Sequence, residues 1–434
     1  MQNFDLVIFG ITGNLAQKKL LPALVSLEKK KLLPKKIKII GVARHKPSIP
    51  KELINKFKYI EGDVEKDRDL YSKIKKSLKN PNHIYYLATY PTLYSKILTS
   101  LHKNGKEKLI IEKPLGKDLK SAKSLDILLH KYFKEEQIYR IDHYLGKVTY
   151  QNILIFRFGN ELFEPLLNKN YVDHIQITAA EKIGIEDRGS YFDNTGTLKD
   201  VGQNHLLQML VAATCEAPNE FTNAAVTAER IKILEKLVPH PKDIVFGQYK
   251  GYLKEKNVEK NSKTDTFFAM KTEINDDCWE GVPIYIRAGK CLPKSAAEIS
   301  IVFKVPKNRL FHKHELGKLP NVLTYRVQPN EGIDIKFLTR HPSLKLNLDQ
   351  DLLQFSYADR ANNTIPDAYE KLIFDAITGD QTFFNDAKEV EASWKFIDKL
   401  VEKKIEPTIY NKSSWGPSSA NKLIEKDGRK WILQ

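Results

Sequence analysis

The densest group of chemically capable side chains lies in Tyr139–Lys147, which reads YRIDHYLGK. Within six residues this segment offers a carboxylate, an imidazole, a phenol and an ammonium group, on Asp142, His143, Tyr144 and Lys147. Several donors directed at one anion are what a phosphate site requires. A solvated surface loop would contain the same residue types, so the segment alone leaves both interpretations open.

Two further segments place polar side chains next to apolar stretches. Lys113 follows Lys108–Ile111. Because ligands of a parallel sheet bind beyond the carboxyl ends of its strands, we expect Lys113 to point into that crevice. His205 ends the sequence DVGQNH, and a histidine in this setting is more often a hydrogen-bonded core residue than a general base. A carboxylate partner would distinguish the two roles, and Asp142 is the candidate if the segments meet in the fold.

A glycine-containing turn lies where the first apolar strand passes into a helical pattern. It reads GITGNL and contains Gly10, Thr12, Gly13, Asn14 and Leu15. Glycines there allow the backbone to approach a pyrophosphate, and the N–H groups at the start of a helix favour an anion. The spacing departs from G-x-G-x-x-G, so an ordinary strand-to-helix turn remains the alternative. The position of the turn in the chain favours the nucleotide interpretation.

The second strand ends in GVARHK, and Arg44 stands there without a nearby acid. NAD-dependent enzymes usually carry an acid at this point for the ribose 2′-hydroxyl. A guanidinium suits a 2′-phosphate instead, with Thr12 and Lys46 as additional candidate contacts. The sequence therefore predicts a preference for NADP.

Apolar strands alternate with helical spacing through the first third of the chain, beginning at Phe4–Gly10 and Asn14–Lys30. This alternation predicts a right-handed, parallel βαβ sheet. After about Tyr171 the strands carry hairpin-type punctuation, which is typical of an α+β domain on a largely antiparallel sheet. We therefore predict an α/β plus α+β fold. A Rossmann-like doubly wound NADP-binding domain occupies residues 1–140, and a larger domain for substrate binding and dimerisation occupies residues 141–434.

Composition excludes several classes of protein. The chain has 434 residues and a hydrophobic share of 41%, which suits two or three folded domains and argues against disorder. No uncharged apolar run approaches the roughly 18 residues of a membrane helix, so we expect no membrane partner. Cys215, Cys278 and Cys291 are too far apart in sequence for a disulfide framework or a zinc cluster. We expect a cytoplasmic protein that holds no metal.

The net charge of +16 raises the question of nucleic-acid binding. Only 12 of the 70 cationic residues are arginine, the residue that contacts phosphates bidentately, and the lysines are spread along the whole chain. We interpret the surplus as a solvated, lysine-rich surface whose positive field favours anionic substrates. We expect no nucleic-acid partner.

Taken together, these segments resemble the glucose-6-phosphate dehydrogenase family. The resemblance is collinear from Phe4 to the C-terminal WGPSSANKL and covers nearly the whole chain. RIDHYLGK is highly specific for the family, whereas the glycine turn is not. The other segments that carry the resemblance are GITGNLAQKKLLPAL, IIEKPLG, VTYQNILIFRFGN, DVGQNH, WEGVPIYIRAGK and SWKFID.

The resemblance implies oxidation of β-D-glucose 6-phosphate to 6-phosphoglucono-δ-lactone with hydride transfer to NADP, in a homodimer or homotetramer. This reaction is the first step of the oxidative pentose phosphate pathway. The resemblance also implies that His205 is the general base and Asp142 its carboxylate partner. It further implies that the substrate phosphate is contacted by His143, Tyr144 and Lys147, and that the sugar hydroxyls are contacted by Glu181 and Asp200. Lys290 is implied as a further substrate contact, Lys113 as a contact to substrate and nicotinamide, and Arg44 and Tyr94 as contacts to the cofactor.

Two positions depart from the family pattern. Asn14 stands where the family turn usually has aspartate, and asparagine can still cap a helix while removing a negative charge near the cofactor phosphates. Five residues after Lys290 the family usually has a second cation, whereas this chain has Ser295 with Lys294 beside it. Either Lys294 substitutes through a local shift or that contact is missing.

Two rival hypotheses stay open at the level of sequence. A sugar oxidoreductase of the glucose–fructose oxidoreductase or inositol dehydrogenase type also carries a Glu-Lys-Pro turn, but typically lacks RIDHYLGK. A non-enzymatic NADP-sensing or nucleic-acid-binding protein would account for the charge. This second rival leaves Asp142, Glu181, Asp200 and His205 without a role.

Overall fold

The computed structural model describes residues 3–101, 105–307, 310–360, 365–402 and 405–433. The chain forms two compact units, each assembled from three segments. Unit 1 contains Met1–Lys147, Asn219–Thr227 and Pro366–Glu391. Unit 2 contains Val148–Pro218, Ala228–Ile365 and Ala392–Gln434.

Unit 1 is built on a six-stranded parallel sheet. Its strands are β1 (Phe4–Phe9), β2 (Lys38–Ala43), β3 (Phe57–Glu61), β4 (Asn82–Leu87), β5 (Glu107–Ile111) and β6 (Ile138–Arg140). They lie side by side in the order β3-β2-β1-β4-β5-β6, and each neighbouring pair is parallel. All residues of β1 are buried, as expected for a central strand covered on both faces. The predicted Rossmann-like, doubly wound sheet is therefore confirmed.

Helices connect these strands and recur in the rest of the chain. In chain order they are α1 (Leu21–Lys29), α2 (Leu70–Ser77), α3 (Tyr94–Ser100), α4 (Leu119–His130), α5 (Val148–Phe158), α6 (Gly189–Phe192), α7 (Leu207–Thr214), α8 (Asn223–Glu235), α9 (Ala368–Thr378), α10 (Ala387–Leu400) and α11 (Ser418–Glu425). Two π-helical segments, Ala16–Leu20 and Leu198–Leu206, lead directly into α1 and α7. Among the described residues, none of these helices combines the length and apolar character needed to cross a membrane.

Helix α9 belongs to unit 1 although it lies far along the chain. The Asp367 carboxylate accepts the N–H of Tyr369 at 2.9 Å and so caps the start of the helix. The hydroxyl of Ser26 in α1 donates to Glu370 at 2.8 Å, and the Lys108 ammonium in β5 donates to the carbonyl of Ala376 at 2.7 Å. These contacts hold α9 in the unit that also carries the loops after β5 and β6.

Unit 2 is built on a nine-stranded mixed sheet. Its strands are β7 (Val172–Ala180), β8 (Leu237–Tyr249), β9 (Phe267–Ile274), β10 (Ile284–Gly289), β11 (Ala296–Phe303), β12 (Val322–Gln328), β13 (Gly332–Arg340), β14 (Leu348–Ser356) and β15 (Thr408–Tyr410). They lie in the order β14-β13-β12-β11-β7-β10-β9-β8-β15. The pairs β7–β10 and β8–β15 are parallel and the other six are antiparallel. The prediction of a larger domain with a mainly antiparallel sheet is confirmed.

Candidate active site

The candidate residues of unit 1 follow the carboxyl ends of its parallel strands. Gly10 comes directly after β1 and Arg44 directly after β2, and the two strands pair with Phe9 opposite Val42. Lys113 stands two residues after β5, and Asp142 two residues after β6. Because the strands are parallel, these four positions lie at one edge of the sheet. This edge includes the point between β1 and β4 where the strand order reverses, which is where open α/β sheets bind ligands.

The glycine turn after β1 fits the close approach of a dinucleotide pyrophosphate. Gly10 has φ +81°, and a Cβ there would lie 2.4 Å from the carbonyl oxygen of Ala88, so no other residue fits without a backbone shift. Thr12, Gly13 and Asn14 are exposed, and the helical turns that lead into α1 begin at Asn14. The N–H of Gly13 donates to the carbonyl of Gly10 at 2.9 Å and closes the turn, and the start of a helix that follows such a turn is suited to hold phosphate oxygens.

Arg44 is exposed at the end of β2, and it is followed by exposed His45 and Lys46. This cluster fits the predicted contact to a 2′-phosphate. Tyr94, the other predicted cofactor contact, is 0% exposed at the start of α3, with its hydroxyl 3.5 Å from the carbonyl oxygen of Leu87. The ring is thus buried within unit 1, and its contact with a cofactor stays a prediction.

A buried carboxyl that the sequence analysis did not single out lies directly before Lys113. Glu112 accepts a hydrogen bond from the hydroxyl of Tyr86, and the Tyr369 hydroxyl of α9 lies 3.4 Å from its other oxygen. Burial raises the pKa of Glu112 to about 7, and the negative charge of Asp142 adds to the rise. The available signal was an acid inside an apolar strand end, in LIIEKP.

Replacing Glu112 by Gln should stabilise the protein at alkaline pH, because ionising the buried carboxyl opposes folding. The folded state with a protonated Glu112 has its full free energy of unfolding below about pH 4.5. This free energy falls as the pH rises through about 7, by up to about 3 kcal/mol in total. The Tm of Glu112→Gln minus that of the unaltered protein should therefore grow between about pH 5 and about pH 8 in thermal melts. The exposed Glu61→Gln is the control, and a constant difference for Glu112→Gln would contradict this account.

The loop after β6 holds the predicted phosphate-binding residues in two tight turns. The Asp142 carboxylate accepts the N–H of Tyr144 at 2.9 Å, and the Tyr144 carbonyl accepts the N–H of Lys147 at 3.1 Å. The Lys147 ammonium lies 5.5 Å from the centre of the Tyr144 ring, and the His143 ring stacks on that of Tyr369 at 6.3 Å. The side chains of His143 and Lys147 are half-buried. The loop is thus an ordered part of unit 1, with two cationic or donor groups at hand for an anion.

In unit 2, Glu181 and Lys290 follow the carboxyl ends of the parallel neighbours β7 and β10. The Lys290 ammonium is buried and donates to the Glu181 carboxylate at 2.7 Å. The Glu181 N–H donates to the carbonyl of Gly289 at 2.9 Å, which fixes the two ends together. An acid and a lysine held side by side can contact neighbouring hydroxyls of a polyol.

Asp200 and His205 lie on the π-helical segment Leu198–Leu206, and both are buried. The hydroxyl of Tyr191 donates to Asp200 at 3.3 Å, and the side-chain carbonyl of Asn204 accepts the N–H of His205 at 2.7 Å. His205 and Asp142 belong to different units. Their pairing stays a prediction.

The structure shows what occupies the position where the family usually has a second cation. The Ser295 hydroxyl accepts the backbone N–H of Lys182 at 3.0 Å, one residue after Glu181. The Lys294 ammonium lies 5.7 Å from the centre of the Trp415 ring. Ser295 therefore has a structural hydrogen bond at this place, and Lys294 lies against an aromatic ring.

Unit 1 contains a group of three side chains of metal-ligand type, which the sequence analysis did not find. Ligand atoms of Asp126, His130 and Glu135 lie within 4.8 Å of one another. The buried guanidinium of Arg140 bonds Asp126 at 2.7 Å and Glu135 at 2.6 Å. Because this guanidinium already bonds both carboxylates, we interpret the group as an ion-pair network.

A glycine turn at the switch point of a parallel sheet, joined to a second unit that carries a buried histidine and acids, defines a nucleotide-dependent oxidoreductase of the Rossmann type. The family model described as "Glucose-6-phosphate dehydrogenase, NAD binding domain" matches residues 7–51 and 45–152, and that described as "Glucose-6-phosphate dehydrogenase, C-terminal domain" matches residues 154–432. The chain belongs to the glucose-6-phosphate dehydrogenase family. This membership favours the dehydrogenase hypothesis over its two rivals.

Relatives of similar length support the same assignment. Glucose-6-phosphate 1-dehydrogenase of Borreliella burgdorferi is 39% identical over 98% of this chain and 98% of its own. A solved glucose-6-phosphate dehydrogenase in complex with its substrate glucose 6-phosphate has a TM-score of 0.91 at 32% identity, with 99% and 98% of the two chains covered. The crystal structure of the Mycobacterium avium enzyme has a TM-score of 0.90 at 30% identity, with the same coverage.

Proposed function

We propose that this chain oxidises β-D-glucose 6-phosphate to 6-phosphoglucono-δ-lactone and transfers a hydride to NADP. The observation that carries the proposal is full-length similarity, at up to 39% identity, to relatives with this name, together with the intact RIDHYLGK segment. The glycine turn and Arg44 are the residues that would hold the cofactor. When bound, NADP supplies the hydride acceptor.

The protein's part in the reaction is to bind, orient and deprotonate the substrate. Oxidation of an alcohol requires loss of a proton from oxygen as hydride leaves carbon, and the imidazole of His205 can accept that proton near neutral pH. Asp142 orients the imidazole and favours its charged form. The contact residues are His143, Tyr144 and Lys147 for the phosphate, Lys113 for substrate and nicotinamide, Glu181 and Asp200 for sugar hydroxyls, and Lys290 for the substrate.

We also propose that the protein is a homodimer or homotetramer in the cytoplasm. The hairpin of β13 and β14 supports self-association, because β14 is an edge strand that exposes apolar side chains. Leu352 is 48% exposed and Leu353 is 59% exposed on this strand, and Leu346 in the turn before it is 51% exposed. Light scattering on the purified protein would measure the mass, and a monomer at micromolar concentration would contradict this part.

A spectrophotometric assay at about 340 nm, where reduced nicotinamide absorbs, tests the function. We expect rapid turnover of glucose 6-phosphate with NADP and little turnover of glucose, because binding of the phosphate orients the reacting carbon. Comparable rates for the two sugars would favour the rival sugar oxidoreductase. No reduction with either sugar would contradict the proposal.

A further inference from the structure

The segment that carries Asp200 and His205 is π-helical over nine residues, Leu198–Leu206. Most π-helix in proteins occurs as single turns within α-helices, frequently at functional sites. An α-helix turns about 100° per residue, so two residues five apart point about 140° away from each other. A π-helix has about 4.4 residues per turn, so the same pair lies only about 50° apart. The wide turn therefore places Asp200 and His205 on one face of the helix.

Neighbouring side chains hold the wide turn in place. Asn204 bonds the backbone at two points, since its amide oxygen accepts the N–H of His205 at 2.7 Å and its amide nitrogen donates to the carbonyl of Lys199 at 3.3 Å. The Gln203 amide donates to the Ser393 hydroxyl at 2.7 Å. A Cβ on Gly202 would lie 2.8 Å from the ring of Phe268, so a larger residue would push the helix away from the sheet. The segment is thus fixed on more than one side.

Asp265 fixes the beginning of the segment. Its carboxylate accepts the N–H of Leu198 at 2.9 Å, and its carbonyl accepts the N–H of Thr197 at 3.0 Å. Gly196 has φ +74°, and a Cβ there would lie 2.2 Å from a carboxylate oxygen of Asp265. The carboxylate therefore fits closely against the residue that opens the turn, at the position where helix N–H groups need an acceptor.

We propose that the π-helical segment Leu198–Leu206, capped by Asp265, is a positioning element that aligns Asp200 with His205 on one face toward the substrate. The proposal rests on the proposed function for the roles of the two side chains. It makes Asp265 a positioning residue, because its contacts are to the helix backbone. It also means that Asp200 and His205, five residues apart, share one face of the helix only while the segment stays π-helical.

A pair of single-residue deletions tests the role of the wide turn. Each removes one residue and is expected to convert the π turn into an α turn. Deleting Val201 leaves Asp200 and His205 four residues apart, about 40° from one another on an α-helix. Deleting Lys199 leaves them five apart, about 140° from one another. We expect deletion of Val201 to keep kcat within about tenfold of the unaltered enzyme and deletion of Lys199 to lower it by about a hundredfold or more.

The deletions are compared only if both fold, as judged by circular dichroism, Tm and NADP binding. Equal kcat values for two folded deletion variants would overturn the role of the wide turn. Turnover of glucose 6-phosphate by the unaltered enzyme distinguishes failure of the proposed function from failure of the inference about the wide turn. Absence of turnover by the unaltered enzyme would contradict the proposed function and the inference with it, whereas normal turnover with equal deletion variants contradicts the inference alone.

Substitution of the cap gives a second test that needs no deletion. Asp265→Ala removes the acceptor for the N–H of Leu198, and we expect kcat to fall about tenfold with the KM for NADP unchanged. Asp265→Asn keeps an acceptor oxygen and should restore kcat to within about twofold. If Asp265 served only to stabilise the fold, Asp265→Ala would lower Tm without a selective fall in kcat at unchanged KM for NADP. An unchanged kcat in Asp265→Ala, or no rescue by Asn, would overturn the role of the cap.

Discussion

Replacing His205 by Asn is expected to lower kcat for glucose 6-phosphate oxidation by about a thousandfold, with KM for the sugar phosphate changed by no more than about threefold. The amide cannot accept the hydroxyl proton near neutral pH, whereas the phosphate contacts of the RIDHYLGK loop are left in place. Initial rates of NADPH formation over a range of substrate concentrations measure both constants. Normal turnover in the variant would show that His205 is not the base.

A matched control separates loss of the base from general effects of the substitution. His240→Asn changes a half-buried histidine of β8 in the same unit, and we expect its kcat to be close to that of the unaltered enzyme. The pairing with Asp142 can be tested in the same assays. If the two residues act together, the double variant His205→Asn with Asp142→Asn should be hardly slower than His205→Asn alone. Additive losses would contradict the pair.

The second large effect is expected at the end of β2. Arg44→Asp should weaken NADP binding by about a hundredfold, because it removes a charge-assisted hydrogen bond and places a carboxylate beside the 2′-phosphate. NAD carries a 2′-hydroxyl, which the new carboxylate can bind, so the KM for NAD should be unchanged or lower. The measurement is KM for both cofactors at saturating glucose 6-phosphate.

The control for Arg44→Asp must change the net charge equally at a distance from the turn. Lys75→Asp does so on the exposed side of α2 in the same unit, and its effect on KM for NADP should be within about threefold. An equal loss in both variants would assign the effect to the overall positive field. Unchanged NADP affinity in Arg44→Asp would remove this residue from the 2′-phosphate site.

Much of the fold was predictable because it depends on local patterns. The alternation of apolar strands with helical spacing predicted the parallel sheet, with the glycine turn at the end of the first strand and Arg44 at the end of the second. Strands β3 and β6 were not predicted. The first mixes exposed and buried residues, and the second is three residues long, so neither has a periodicity that a sequence window can detect.

The chain by itself determined the residue types and their order: a glycine turn followed by a helix, an arginine where an acid would select NAD, and the segments that resemble one family. Only tertiary structure decided which distant residues act on one another. Tyr369 reaches Glu112 from more than 250 residues away, and Asp265 accepts the N–H of Leu198 at the start of the π-helical segment that carries His205. Such contacts depend on packing between segments that share no local pattern, and packing is a property of the folded chain.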